Sequence, residues 1–282
     1  MRGPLVTITI PTFKSEKTLE KCLLAIKNQT YKNIEVSIID GGSSDKVLQL
    51  SKNYYANYVF FPGSLLAARY RGVKMAKGKY TLIFDSDQVL EKKSIERAVK
   101  VAEDKGLDML VFEENVYKKD TFIEKLFDCD RKVINAIGNL SPFTGVIMPR
   151  FFRTGFLKNA YENIPQRYFQ NTGGPDHAIV YYECWLLSKK ISVLSKAVKH
   201  MEPKTIRQLG LKFYRWGYTS IDTHYGKYHN LMTQKARFRS GLFTKGLIIE
   251  SLGSILLLII KGIGFKLGYF IAMVDKKSGR KL

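Results

Sequence analysis

The sequence predicts an α/β fold in which a mainly parallel sheet is flanked by helices. Over the first 115 residues, short apolar segments alternate with segments of helical periodicity, an order that is typical of parallel sheets. Hydrophobic residues make up 45% of the chain and include 17 Phe and 16 Tyr, which is ample for a buried core. A chain of 282 residues can form one large domain or two small ones.

Five strands and four helices are predicted in this first part of the chain. The predicted strands are 5–10, 34–39, 58–61, 80–84 and 109–113. The predicted helices are 15–27, 45–52, 64–75 and 94–105. Pro11 should stop the first strand, because proline has no N–H for a sheet ladder. Ser15 and Ser64 can cap helices, and Gly78 should end the third helix.

The pattern is less regular after residue 115. Residues 120–140 are predicted to be helical, and the apolar residues 143–152 are predicted to form one or two short strands. Residues 161–175 are rich in Tyr, Asn, Gln and Gly, which predicts a loop. A helix should begin at Asp176, and a strand over 191–198 should end near His200.

Acidic residues follow two of the predicted strands. The strand over 80–84 ends in Asp85-Ser86-Asp87, and Asp40 follows the second strand. The carboxyl ends of parallel strands meet at one edge of a sheet, where ligands of such folds bind. Neighbouring carboxylates repel each other, and Mg²⁺ or Mn²⁺ can neutralise them while also holding substrate phosphates. Alone, Asp-Ser-Asp is more often a solvated turn, and Asp40 at a second strand end favours a site.

The chain carries a net charge of +21, which predicts either a polyanionic partner or a tolerance for self-repulsion. Residues 189–245 alone hold 13 Lys or Arg against two acids. Nucleic acid, an anionic membrane face and a nucleotide diphosphate all remain candidate partners. The three cysteines are far apart and lack metal-ligand spacing, which favours a reducing cytosolic compartment. The apolar run 5–10 is too short for a secretory signal.

The C-terminal part is apolar over residues 242–274, and we expect residues 226–282 to form a membrane-associated segment after a domain of residues 1–225. The longest uncharged run, 251–260, is half of the roughly 20 residues that a spanning helix needs. One helical stripe would carry small and charged residues: Glu250, Gly253, Ser254, Lys261, Gly264 and Gly268. This stripe favours an interfacial helix or a helix that packs its small face on another helix. A spanning helix and a buried helix of the soluble domain remain alternatives.

Basic residues lie on both sides of this apolar segment. The basic residues of 189–245 precede it, and Lys276, Lys277, Arg280 and Lys281 follow it. Both groups suit an anionic cytoplasmic leaflet, so we expect the protein at the cytoplasmic face of the cell membrane.

Three segments of the first ninety residues resemble those of a known family. They are V-T-I-T-I-P-T-F, I-E-V-S-I-I-D-G-G-S-S-D and A-A-R-Y-R-G-V-K-M-A-K-G-K-Y-T-L-I-F-D-S-D, in this order. Together they resemble the family 2 glycosyltransferases, which have the GT-A fold. The resemblance covers residues 5–220 and is strongest over the first ninety. It implies a mixed, mainly parallel sheet flanked by helices.

The resemblance implies a role for several residues toward a nucleotide-sugar donor. Pro11, Thr12 and Phe13 match the strand end that lines the nucleotide pocket. Asp40 matches an acid that hydrogen-bonds the base, although Gly41 stands where many members have a second Asp. Arg69 matches an arginine near the nucleotide. Asp85, Ser86 and Asp87 match the D-x-D motif that holds the diphosphate through Mn²⁺ or Mg²⁺, with Asp87 as the favoured direct ligand.

The acceptor side is implied by residues of the second half. Asp176 matches the catalytic base of inverting members, although Pro175 replaces the usual preceding Glu. Glu183 is an alternative base, and a helix cap is the structural alternative for Asp176. His200 matches a histidine that contacts the metal in some members. In the segment K-F-Y-R-W, Arg215 and Trp216 match residues near the diphosphate and the acceptor sugar in processive members.

The predicted function is therefore transfer of a sugar, with inversion, from a GDP- or UDP-sugar to a polyprenyl-linked acceptor. A preference for mannose from GDP-mannose rests on the resemblance alone. Synthesis of a polyprenyl-phosphate sugar is an alternative, in which the acceptor is a phosphate and Asp176 only orients it. A nucleic-acid-binding protein is the alternative from another class, in which aromatic residues at 213–218 would stack on bases, but acidic strand ends would repel phosphate unless a metal is bound. A Rossmann dehydrogenase is excluded, because no G-x-G-x-x-G follows the first strand.

Overall fold

The computed structural model describes residues 3–224, 226–234 and 241–278. Its strands are β1 Val6–Thr12, β2 Ile34–Asp40, β3 Asn57–Phe60, β4 Tyr80–Ile83, β5 Gln88–Leu90, β6 Met109–Val116, β7 Pro149–Arg153 and β8 Ile191–His200. They form one eight-stranded sheet in the order β3-β2-β1-β4-β7-β6-β8-β5. Strands β3, β2, β1 and β4 are parallel, whereas β7 runs antiparallel to both β4 and β6. Strand β8 is parallel to β6 and antiparallel to β5, so the predicted mixed sheet is confirmed.

Helices cover both faces of this sheet. They are α1 Glu16–Lys27, α2 Asp45–Asn53, α3 Leu65–Met75, α4 Ser94–Asp104, α5 Phe122–Asn135, α6 Thr154–Glu162, α7 Tyr168–Asn171, α8 Asp176–Leu187, α9 Ile206–Tyr218, α10 His229–Gln234 and α11 Ile248–Lys277. One core cluster joins the sheet to α1, α2 and α4, and a second joins it to α3, α6 and α8. Strand β1 is buried along its whole length, as expected for a central strand with helices on both sides.

Several local predictions were wrong. Strand β1 does not stop at Pro11 but continues to Thr12, and β4 pairs with β1 only as far as Thr9. The ladder on that side has therefore ended before the proline, where a missing N–H costs nothing. The predicted loop over 161–175 contains the end of α6 and all of α7, and residues 142–144 form a short 3₁₀ helix before β7.

The helix cap at Ser64 forms as predicted, but the one at Ser15 does not. The Ser64 hydroxyl accepts a hydrogen bond from the Ala67 N–H at 3.2 Å. The Ser15 side chain makes no cap hydrogen bond to α1.

Helix α11 packs along α5 and α9, and small residues make this packing close. Its buried residues are Ser251, Ser254, Leu257, Gly264, Gly268 and Ala272. A Cβ atom on Gly268 would lie 2.0 Å from the carbonyl oxygen of Tyr214, and one on Gly217 would lie 2.0 Å from that of Phe265. The two helix backbones therefore approach each other directly. Of the alternatives left open for this segment, the structure shows a small face packed against other helices.

A buried ion pair also joins α11 to α5. The Asp130 carboxylate accepts hydrogen bonds from the Ser254 hydroxyl at 2.6 Å and from the Lys261 ammonium at 3.0 Å. The Lys261 ammonium also lies 4.4 Å from the ring centre of Phe127. The charged residue that interrupts the apolar run is thus compensated inside the protein. Lys235, Arg237, Arg239, Arg280 and Lys281, which belong to the predicted basic regions, lie outside the described residues.

We expect Gly268→Ala to destabilise the protein by about 1–3 kcal/mol, because the new methyl group must push α11 away from Tyr214. Gly262→Ala is the matched control, since a Cβ there meets no atom within 4 Å. This control should leave stability unchanged or raise it by up to about 1 kcal/mol through helix propensity. Urea unfolding of both variants measures the difference, and equal effects would contradict the packing of α11 on α9.

Candidate active site

The carboxyl ends of the central strands open into a cavity of about 970 Å³. Most of the predicted site residues line it, namely Pro11, Phe13, Arg69, Asp85, Ser86, Asp87, Asp176, His200 and Trp216. Its far side is formed by α5, α9 and α11, which contribute Phe127, Phe213, Leu258 and Phe265. The cavity thus has a charged end at the sheet and an apolar end at the C-terminal helix. Thr12, Asp40 and Arg215 are not among its lining residues.

Asp85 is held by two arginines. Its Oδ1 accepts a hydrogen bond from Arg69 Nη2 at 2.6 Å, and its Oδ2 accepts one from Arg150 Nη1 at 2.7 Å. Burial alone would raise the pKa of Asp85, but the two guanidinium groups hold this pKa well below its usual value. Asp85 is therefore an ionised and charge-compensated group, with one acceptor position left on each oxygen.

Arg69 bridges Asp85 to Asp176. The buried guanidinium donates from Nε to Oδ2 of Asp176 while its Nη2 contacts Asp85. Asp176 lies in the first turn of α8, where Pro175 is the N-cap residue and no side-chain cap hydrogen bond forms. The capping alternative for Asp176 is therefore not what the structure shows. The alternative base, Glu183, is bound by the Tyr228 hydroxyl at 2.6 Å and does not line the cavity.

Asp87 lies beside His200, as the strand pairing requires. Gln88 of β5 pairs with His200 of β8, which brings the residue before Gln88 next to the imidazole. His200 Nε2 is 3.4 Å from Asp87 Oδ1, and His200 Nδ1 is 3.3 Å from Glu202 Oε2. Burial would lower the pKa of His200, but the carboxylates of Asp87 and Glu202 outweigh burial and raise it. Lys212 Nζ, on α9, is 3.7 Å from the other oxygen of Asp87.

Glu114 links the two halves of the site. Its carboxylate is 2.8 Å from Arg150 Nη2 and 2.9 Å from Arg131 Nη1. Arg131 in turn contacts Glu202 at 2.8 Å. Burial opposes ionisation of Glu114, yet the two arginines lower its pKa to about 2. A continuous chain of alternating charges results, which runs Asp176, Arg69, Asp85, Arg150, Glu114, Arg131, Glu202, His200, Asp87 and Lys212.

Five members of this chain were not predicted as site residues: Glu114, Arg131, Arg150, Glu202 and Lys212. Glu114 did carry a signal, because it lies toward the carboxyl end of a predicted strand in the same way as Asp40 and Asp85. His177 was also missed. Its Nε2 is 2.8 Å from Arg150 Nη1, and burial followed by the charges of Arg69 and Arg150 lowers its pKa. Because arginine only donates, His177 Nε2 is the acceptor of this bond.

Asp40 is buried and is saturated with hydrogen bonds. Its carboxylate accepts from the Thr12 hydroxyl at 2.8 Å, from the Ser43 N–H at 3.0 Å and hydroxyl at 2.5 Å, and from the Tyr58 hydroxyl at 3.0 Å. These donors fill the four acceptor positions of a carboxylate. A nucleobase could hydrogen-bond to Asp40 only by displacing one of these donors. Phe13, by contrast, is 56% exposed and is accessible to a ligand without any such displacement.

The structure does not bring Arg215 to the cavity. Lys212 and Trp216 lie four residues apart on one face of α9 and both line the cavity. Arg215 is exposed, and its Nε donates to the Leu211 carbonyl oxygen at 3.3 Å. The placement of Arg215 near a diphosphate is therefore corrected, and Lys212 is the cation of this helix that faces the D-x-D motif.

Asp87 and His200 are the side chains best placed to hold a divalent cation. No cluster of three or more His, Cys, Asp or Glu side chains with metal-site geometry occurs within residues 3–224, 226–234 and 241–278. A cation here would thus have one carboxylate and one imidazole from the protein, with other positions left for substrate oxygens. Mg²⁺ at nucleotide phosphates is commonly held by one or two carboxylates together with the phosphates, and His200 could join Asp87 as a ligand only in its neutral form.

Comparisons with known proteins show the family to which the chain is similar. A family model described as glycosyl transferase family 2 matches residues 7–192. The glycosyltransferase GlyG of Streptococcus pneumoniae is 28% identical over 123 residues, which are 41% of this chain and 40% of GlyG. A chondroitin synthase of Escherichia coli is 35% identical over 101 residues, 34% of this chain and 15% of the synthase. The match thus spans less than half of these relatives.

Solved structures share the fold over almost the entire chain. S. aureus TarS 1–349 in complex with UDP-GlcNAc gives a TM-score of 0.56 at 16% identity and covers 98% of this chain and 92% of TarS 1–349. The mannosyltransferase PcManGT from Pyrobaculum calidifontis, in complex with GDP-Man and Mn²⁺, gives a TM-score of 0.56 at 15% identity. The match covers 99% of this chain and 77% of PcManGT.

These likenesses show the GT-A fold. The family match shows that the chain belongs to glycosyl transferase family 2.

Proposed function

We propose that the protein transfers a sugar, with inversion, from a nucleotide-diphosphate sugar to a lipid-linked acceptor at the cytoplasmic face of a membrane. The observation that carries the proposal is the Arg69 bridge, which holds Asp85 of the D-x-D motif and Asp176 at one cavity. A donor-binding carboxylate and a candidate base are thereby fixed relative to each other. Such fixed geometry is what a transfer reaction between two bound substrates requires.

The donor would bind at the Asp87 end of the charge chain. Asp87 and His200 would hold Mn²⁺ or Mg²⁺, which supplies positive charge to the diphosphate as it leaves the sugar. Lys212 lies 3.7 Å from Asp87 and adds a second cation on the α9 side. Phe13 and Pro11 line the cavity where the nucleoside would lie. Related folds bind UDP-GlcNAc and GDP-Man, and the preference for GDP-mannose stays a prediction.

Asp176 would act on the acceptor. When the acceptor is a hydroxyl group, its proton passes to the free oxygen of Asp176 while the acceptor oxygen attacks the sugar. Arg69 orients this carboxylate through Oδ2, which leaves Oδ1 for the proton. When the acceptor is a polyprenyl phosphate, no proton must be removed and Asp176 only orients the phosphate. This second case is the alternative function, a polyprenyl-phosphate sugar synthase.

The apolar end of the cavity supports a lipid-linked acceptor. Leu258 and Phe265 of α11 and Phe213 of α9 line it, and Lys261 and Lys266 lie among them. Apolar walls interspersed with cations suit an isoprenoid chain that carries phosphate. Incubation with a panel of nucleotide sugars, Mn²⁺ and polyprenyl phosphate, followed by mass analysis of products, tests this proposal. A product made from free oligosaccharide but never from a lipid acceptor would contradict it.

We expect Asp87→Ala to abolish the Mn²⁺-dependent part of nucleotide-sugar binding, because it removes the only carboxylate of the proposed cation site. Titration calorimetry with UDP-GlcNAc and GDP-mannose, with and without Mn²⁺, measures this. Asp104→Asn, at the exposed end of α4, is the control and should bind like the wild type. Unchanged Mn²⁺-dependent binding by Asp87→Ala would exclude Asp87 as a metal ligand.

We expect Asp176→Asn to keep donor affinity and to lose transfer to a hydroxyl acceptor by about 10²–10⁴-fold, the range for loss of a general base. Donor binding by calorimetry and transfer rate by product mass separate the two effects. Retained transfer to polyprenyl phosphate, with loss toward a hydroxyl, would identify the phosphate acceptor. Full activity toward a hydroxyl acceptor would show that Asp176 is not the base.

A further inference from the structure

We propose that α9 and α11 form a docking face for an anionic bilayer, on which α11 lies parallel to the membrane without crossing it. The inference rests on the membrane location in the proposed function and adds its geometry. It does not depend on the donor, the sugar or the acceptor. Helix α11 is long and apolar enough to span a membrane by length and composition alone. Its contacts with the rest of the protein decide between lying on the bilayer and crossing it.

The outer side of α11 is a continuous apolar stripe. Seven large side chains spaced by three or four residues are between 41% and 66% exposed: Leu252, Leu256, Ile259, Ile263, Leu267, Phe270 and Val274. On α9, Ile206 and Leu211 are exposed as well and share an apolar groove with Ile263 and Leu267. Soluble surfaces rarely expose so many adjacent large apolar side chains without a partner. These nine residues are the docking face.

The inner side of α11 is tied to the catalytic domain from end to end. Near its start, Glu250 pairs with Lys132 of α5 at 3.2 Å. Near its end, Lys276 contacts Asp222 at 2.8 Å. Between these points lie the Asp130–Lys261 pair and the backbone contact of Gly268 with Tyr214. Between Glu250 and Lys276, α11 could therefore span a bilayer only if α5 and α9 entered the hydrocarbon with it.

Crossing would carry charged groups into the bilayer. Helix α5 contains Asp128, Arg131 and Lys132 alongside Asp130, and α9 contains Lys212 and Arg215. Polar groups at such depth cost several kcal/mol each unless they remain paired. Lying on the surface costs none of this, because only the apolar stripe enters the headgroup and acyl boundary. Interfacial helices bind membranes in this way, with one apolar face and a charged opposite side.

Charge identifies the partner as an anionic lipid surface. Exposed basic residues border the docking face, namely Arg207 next to Ile206, Arg215 one turn after Leu211, Lys245 before α11 and Lys266 next to Leu267. A second copy of this chain, which also carries +21, would meet these residues with like charge. Anionic headgroups attract basic residues that lie near the membrane surface. Arg215, which does not line the cavity, would thus contact anionic headgroups at the membrane surface.

The docking face also places the cavity at the membrane. Leu258, Phe265 and Lys266 of α11 line the cavity while Ile259, Ile263 and Leu267 of the same helix lie on the docking face. A lipid-linked acceptor could therefore keep its chain in the bilayer with its head group in the cavity. Its approach would be lateral, along the membrane surface.

Vesicle sedimentation of the full-length protein, without any sugar nucleotide, tests the proposal. We expect binding to vesicles of phosphatidylcholine with phosphatidylglycerol and much weaker binding to phosphatidylcholine alone. Ile263→Glu should weaken binding by about tenfold or more, because the free energy of burying one Ile side chain corresponds to at least that factor. Leu24→Glu, at an exposed leucine of α1, is the matched control and should bind normally.

Alkaline carbonate extraction then separates an interfacial helix from a spanning one. We expect carbonate to release the protein from the vesicles, and resistance to extraction would overturn the proposal in favour of a span. Equal vesicle binding by the wild type and Ile263→Glu would also overturn it. So would a wild-type protein that does not bind vesicles but forms dimers, if Ile263→Glu dissociates those dimers. Donor binding by calorimetry should be the same for both variants, so loss of docking is distinguished from failure of the proposed reaction.

Discussion

The site depends on the two ion pairs that the buried guanidinium of Arg69 makes with Asp85 and Asp176. A buried charge is tolerated only when it is paired, and Arg69 is paired with Asp85 after β4 and with Asp176 at the start of α8. Helix α3 can place it there because it lies directly on the sheet. A Cβ on Gly72, one turn after Arg69, would lie 1.8 Å from the Thr9 hydroxyl oxygen of β1. The close packing of a glycine on a strand thus brings the arginine to two carboxylates from distant parts of the chain.

The alternating charge chain extends this constraint across the site. Each carboxylate of this chain, from Asp176 to Asp87, has a cationic neighbour within 4 Å. The positive charges at the site are therefore balanced locally, although the protein as a whole carries a net charge of +21. Loss of one member leaves its neighbours buried and uncompensated, which usually costs more than the pair itself contributes. The chain therefore keeps the side chains in fixed positions before any substrate arrives. Such preorganisation is the main source of electrostatic catalysis in enzymes.

The sequence predicts the parts of the site that lie at strand ends or in local motifs. Asp85 and Asp87 could be found in this way, and so could the small stripe of α11, because a 3.6-residue period is visible in the sequence. Asp176 and His200 were predicted from the family resemblance. Arg150 could not be found, because it reaches Asp85 only when β7 inserts antiparallel between β4 and β6. Arg215 was misplaced for a related reason. Which face of α9 meets the cavity is decided by its packing on α11, and no local pattern reports that packing.

The direct measurement of this arrangement is an anomalous-scattering crystal structure with Mn²⁺ and a nucleotide-diphosphate sugar. We expect one manganese peak within coordination distance of Asp87 and His200, with the diphosphate completing its ligands. We expect Arg69 to keep its bonds to both Asp85 and Asp176 in the same crystal. A manganese ion bound by Asp85 with Arg69 displaced, or a donor bound away from the D-x-D motif, would contradict the proposed site.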